Sequence, residues 1–189
     1  MMTQSLTYLW NAGMMMSKNE LPKVSVRLVD DPPLVSNEPV RSYREAIALI
    51  EKELATFDRE VFCILNLTQH NKPINFSIVS MGGLEQALVD PREVFKTAIL
   101  SNASSFICFH NHVQGFPTPS KEDIAFTERL YHVCTLMGIK LKDHIIVGDN
   151  LDYSLKDNGD LREIQRRVDT AEFRRKLDIE KIHKINKPR

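Results

Sequence analysis

Two short, almost unbroken apolar runs limit what this chain can fold into: EVFCILNL over residues 60–67 and SSFICFH over residues 104–110. Both are rich in β-branched and aromatic residues. An apolar residue at nearly every position, rather than at every second one, marks a strand in the middle of a sheet with both faces covered. Two such strands require helices to pack on them.

The rest of the chain supplies those helices. Ser42 precedes YREAIALIEKELATF, apolar at 43, 46, 47, 50, 54 and 57, which is helical spacing; Ser42 is the N-cap and Glu45 completes a capping box. Asp90-Pro91 opens a second helix with proline at its first position and Val94, Phe95, Ala98 and Ile99 on one face. A third runs from about Ser120 to Met137 and stops at Gly138. KVSVRLVD (23–30) alternates as a half-buried strand, and DPPLVSNEPV (31–40) is a Pro-rich linker. INFSIVSM (74–81) alternates again and pairs with 60–67 in a hairpin through the HNKP turn. IKLKDHIIVGD is a further strand and LDYSLKDNG a short strand or loop. A charged helix follows, with Leu161, Ile164, Val168 and Ala171 on one side. The order β-α-β-β-α-β-α-β-(β)-α predicts an α/β fold, a mixed central sheet flanked by helices, with a charged C-terminal helix. We divide the chain into a flexible N-terminus (1–22), one domain (23–155) and a charged helical tail (156–189).

Composition excludes several classes. At 189 residues the chain suits one domain and a tail, and its 25 basic and 25 acidic residues balance. The balance is uneven: residues 1–155 carry 14 basic against 18 acidic, residues 156–189 carry 11 against 7. The tail could touch nucleic acid or an acidic protein, although mixed signs usually mark a solvated helix face. Cys63, Cys108 and Cys134 form no CxxC pair and sit in apolar runs, which predicts buried free thiols and a reducing, cytoplasmic setting. There is no run of about 18 apolar residues, so no membrane span is expected. The first 20 residues lack a basic region and an A-x-A site, so they do not read as a signal peptide; we expect them to be poorly ordered, and Met14–Met16 offer other start sites.

The chemistry concentrates in FHNHVQGFPTPSKED, residues 109–123. His110 and His112 stand two apart at the end of a strand and so point to one face. Asp123 falls in the first turn of the next helix, and Gly115, Pro117 and Pro119 let the chain fold back. Two histidines and a carboxylate form a ligand set for catalytic zinc with a fourth position left for water. Such a centre lowers the pKa of water to about 7 and needs a base outside the ligand set. Each residue also has a plain reading. Ser120-x-x-Asp123 is a capping-box variant, and a single histidine is commonly a surface or core residue. A cap, however, does not call for two convergent imidazoles at the end of a buried strand.

His-x-His, seven residues, Ser, two residues, Asp resembles the signature of the JAMM (JAB/MPN) metalloproteins. The text around it, HNH..G.PTPSKEDI, DPREVFKTAILSNA, DREVFCILNL and DHIIVG, resembles the bacterial RadC-like branch from about Lys23 to Tyr153. The resemblance implies a JAMM/MPN fold, related to the cytidine deaminases, with His110, His112 and Asp123 as zinc ligands and Ser120 donating a hydrogen bond beside the metal. It also implies a glutamate general base on an earlier strand. Glu45, Glu51, Glu53 and Glu60 are all nearby; Glu60, where a strand begins, matches the family's placement. The branch commonly reads HNHPSG where this chain has Val113-Gln114-Gly115, which affects the loop and not the ligands. Only about 40 residues precede the first helix, without the helix-hairpin-helix pattern of many RadC proteins. His144 in KDHIIVG reads equally as a group orienting a ligand or as a packed strand histidine. His70, His132 and His183 read as ordinary.

These features imply a zinc-dependent hydrolase of amide bonds, a peptidase or isopeptidase acting on a peptide or protein. The alternative is a DNA-associated repair or mobile-element accessory protein without peptidase activity, supported by the basic tail alone. The letters His-Asn-His match HNH nucleases by accident, since those spread their residues over a longer unit. A deaminase would need His-x-Glu and Pro-Cys-x-x-Cys, which are missing. Intact His110, His112, Ser120 and Asp123 argue against a metal-free scaffold.

Overall fold

Val61–Leu67 (β1) is buried at every position, and Ser105–Asn111 (β3) at all but its last. In the computed structural model, which describes residues 38–54, 57–82, 89–112, 116–148 and 151–171, these two apolar runs lie side by side inside one sheet. The expected N-terminus and strand over 1–30, most of the linker after it and residues 172–189 of the tail lie outside the described residues.

The described elements are α1 (Tyr43–Leu54), β1, β2 (Pro73–Met81), α2 (Pro91–Leu100), β3, α3 (Lys121–Met137), β4 (Lys140–Val147), β5 (Asp152–Ser154) and a closing helix α4 over 160–171. The sheet order is β2-β1-β3-β4-β5. β1 runs antiparallel to both β2 and β3, β3 is parallel to β4, and β5 returns antiparallel. This is the expected mixed sheet flanked by helices.

Alternation within the two central strands explains why they are apolar throughout. Phe62 and Ile64 of β1 and Phe106 and Cys108 of β3 enter a core shared with α2, α3 and α4. Cys63, Leu65 and Leu67, with Ile107 and Phe109, enter a second core under α1. β2, at the edge, keeps no buried position. Cys63, Cys108 and Cys134 are buried free thiols, and burial pushes all three up, Cys134 to about 12.

The helix ends follow local chemistry. Ser42 Oγ accepts the Glu45 N–H, while Glu45 reaches back to the Arg41 N–H at 2.7 Å. Asp90 caps α2 by accepting from the Arg92 N–H. Gly138, at φ 69°, closes α3 in the left-handed region that glycine tolerates. Ile99, at the rim of the apolar stripe of α2, stays exposed beside its buried neighbours Val94, Phe95 and Ala98. In α4, Leu161, Ile164 and Val168 are buried in the first core, and Ala171 is exposed. The segment expected as a charged tail thus begins with two turns that complete the domain's own core. No helix among the described residues is long and apolar enough to cross a membrane.

Candidate metal centre

The β3–α3–β4 unit sets the place of the site. β3 and β4 are parallel, α3 crosses between them, and the carboxyl end of β3 meets the amino end of α3. Open α/β sheets gather ligands at that end of their strands. His110 lies in β3 on the face that packs against α3, beside Phe62 of β1 and His144 of β4. His112 follows β3, its backbone N–H bonded to the Val147 carbonyl.

Asp123 is held by its cap. Ser120 is the N-cap of α3: its Oγ accepts the Asp123 N–H at 3.1 Å. Asp123 Oδ2 accepts in return from the Ser120 backbone N–H at 2.8 Å and the Ser120 hydroxyl at 2.6 Å. Oδ1 is turned toward the histidines, 3.2 Å from His110 Nε2. One carboxylate therefore both completes the cap and faces the two histidines, and the capping box aims it.

One ligand atom each from His110, His112 and Asp123 falls within 4.8 Å of the other two. The two Nε2 atoms are 3.0 Å apart, and His112 Nε2 lies 3.8 Å from Asp123 Oδ2. The side chains are 11%, 20% and 19% exposed, so the cluster is partly open to an incoming molecule. The outward ring nitrogens are also engaged. His112 Nδ1 is 3.1 Å from the Phe116 carbonyl, which can only accept; the ring therefore carries a proton there. His110 Nδ1 is 2.9 Å from His144 Nε2, and His144 Nδ1 is 2.6 Å from Thr127 Oγ1. His144 is fully buried, as the packed reading expects, and it also touches His110.

Burial governs the charges. It pushes His110 down to about 4 and drives His144 well below the usual imidazole range. For Asp123, burial acts upward, but attraction to His110 and the hydrogen bonds from Ser120 outweigh it and hold the carboxyl below its usual range. At neutral pH His110 is therefore a neutral imidazole and Asp123 a carboxylate, and the cluster offers two ring nitrogens and one carboxylate oxygen. That donor set suits a tetrahedral metal ion with one position left open.

Glu60 is not one of the converging groups. It precedes β1, is half-buried, and its carbonyl accepts from the Gly82 N–H. β1 pairs Phe62 with His110 at the end of the β1–β3 ladder, and Glu60 lies two residues before that pair. Asn111 secures that place: its Oδ1 accepts the Val61 N–H and its Nδ2 donates to the Arg59 carbonyl. Asn111 and Thr127 were not singled out in the sequence. Thr127 stands one turn after Asp123 on α3 and shares its face, a faint signal; Asn111 carried none. Val113, Gln114 and Gly115 lie outside the described residues.

The chain is 43% identical over 123 residues to UPF0758 protein TTE0897 of Caldanaerobacter subterraneus, covering 65% of this chain and 53% of that one. UPF0758 protein YsxA of Bacillus subtilis is 43% identical over 120 residues, 64% of this chain and 52% of its own. A UPF0758 protein of Desulfitobacterium hafniense is 43% identical over 134 residues, 70% and 58%. The chain spans about half the length of the curated relatives it matches. The family model for the RadC-like JAB domain matches residues 40–160, which include all the elements of the site, and the chain belongs to that family.

Proposed function

We propose that this chain is a zinc-dependent hydrolase of amide bonds, acting on a peptide or protein, with His110, His112 and Asp123 holding the metal. The observation that carries the reading is the convergence of these three side chains from a strand end and a helix start, partly open to solvent. A bound zinc ion supplies a Lewis acid and a water of lowered pKa.

The chain's own residues supply the rest. Glu60, just before β1, takes the proton of the attacking water and returns it to the leaving amine, the role of a carboxylate outside the ligand set. Ser120 donates to the developing oxyanion. To do so its hydroxyl must leave Asp123 Oδ2, which keeps its second bond from the Ser120 backbone N–H. Two of the three arginines of α4 are already engaged, Arg166 with Glu163 and Arg167 with Glu128, which lends the nucleic-acid alternative little support.

Incubation with a peptide library tests the proposal. Cleavage should require zinc and disappear in Glu60→Gln while zinc content is kept. A parent protein that holds no stoichiometric zinc, or whose cleavage survives Glu60→Gln, removes the reading.

A further inference from the structure

A ring nitrogen can bind a metal only if its proton sits on the other nitrogen, and in His110 that choice is made two residues away. Thr127 Oγ1 lies 2.6 Å from the Asp123 carbonyl, which can only accept, so the hydroxyl proton points there. With that proton used, Thr127 Oγ1 has only lone pairs to offer His144 Nδ1 at 2.6 Å, and His144 must be the donor. His144 is fully buried, where a ring with a second proton would be a desolvated charge, so the one ring proton stays on Nδ1 and Nε2 accepts. The partner at 2.9 Å is His110 Nδ1, which must then carry the proton of that ring. Its Nε2 is left as an inward lone pair.

We propose that Thr127 and His144 form a tautomer relay that fixes His110 in the one protonation pattern able to ligate a metal through Nε2. Both are positioning residues, and the proposal rests on the reading of His110 as a zinc ligand. The relay starts at the backbone carbonyl of one ligand, Asp123, and ends on the ring of another, so both are held in one circuit that needs no metal to form. His112 is oriented separately: its Nδ1 faces the Phe116 carbonyl, which leaves Nε2 turned inward. The inward groups are thus two ring nitrogens 3.0 Å apart and a carboxylate oxygen 3.2 Å from the His110 nitrogen.

The test reads tautomers directly, by nitrogen-15 correlation spectra of the histidine rings in the full-length, metal-free protein at neutral pH. His110 and His144 should both be protonated on Nδ1. In Thr127→Val the His144 Nδ1–H loses its acceptor, so both rings should move their protons to Nε2, and the affinity for added zinc should fall by about 10- to 100-fold. Thr127→Ser should restore tautomers and affinity. Parent spectra with His110 protonated on Nε2 overturn the relay without any variant, and so does a folded Thr127→Val protein that binds zinc as the parent does. If the parent takes up no zinc, the hydrolase reading fails, while the metal-free spectra still decide the relay.

Discussion

Asn111 Oδ1 accepts the backbone N–H of Val61 at 2.7 Å, and the same side chain donates from Nδ2 to the Arg59 carbonyl at 3.0 Å. One residue of β3, lying between the two histidines in sequence, thereby grips the chain on both sides of Glu60. The regular β1–β3 pairing ends at Phe62 and His110, and the asparagine side chain extends it by one step. Small errors in the placement of a reacting group cost large factors in rate. Asn111→Ala should lower kcat by about 10- to 100-fold with zinc content retained. Steady-state kinetics beside metal analysis checks this; an unchanged kcat would separate Asn111 from catalysis.

Ser120→Ala separates the cap from the chemistry. It removes the hydroxyl that bonds both the Asp123 N–H and Asp123 Oδ2, and keeps the backbone N–H on that oxygen. The metal-free protein should lose about 1 kcal/mol of stability, as for other N-caps. Zinc should still bind, and kcat should fall further than the stability loss explains. Urea unfolding and kinetics on the same variant distinguish a cap alone from a cap that also serves the oxyanion.

The metal-free protein should weaken in mild acid. His110 carries its proton only below about pH 4 when folded, against 6.5 for a free imidazole. Between those values the unfolded chain binds more protons, so stability rises with pH through this window and is lost as pH falls from 6.5 toward 4. His110 alone accounts for up to about 3 kcal/mol, at 1.36 kcal/mol per pH unit. His144 acts in the same sense. Asp143, whose carboxyl is raised by burial, acts oppositely nearer its own titration. Urea midpoints from pH 7.5 to 4.5 should fall steadily, and His144→Asn should flatten part of the slope.

Ile164→Ala should destabilise the domain by about 2–5 kcal/mol, the usual cost of emptying a buried aliphatic site. Ile164 is 1% exposed and shares a core with Leu130, Cys134 and Leu155, although it lies in a segment whose composition reads as a charged tail. Arg162→Ala, on an exposed position two residues earlier, should change stability by less than about 0.5 kcal/mol. Thermal or urea unfolding of the two variants gives the comparison.

Features built from neighbours in the chain were legible in the sequence. The caps at Ser42, Asp90 and Ser120 and the stop at Gly138 involve contacts only a few residues apart, so their residue types announce them. The convergence of His110 and His112 follows from strand parity, and the fully apolar runs announced strands covered on both faces. The resemblance to a known family narrowed the glutamates to Glu60, a choice the residues alone left open.

Contacts across the sheet were decided only by tertiary structure. His144 comes to His110 across 34 residues because β3 and β4 run parallel in a particular register, and nothing in KDHIIVG states that register. Thr127 gains its meaning from facing His144, and Asn111 from lying beside the end of β1. Burial set the neutral state of the histidines, since desolvation depends on everything packed around a ring. Local hydrogen bonding and side-chain alternation are properties of a stretch of sequence; register, burial and the direction of a shared proton belong to the folded chain.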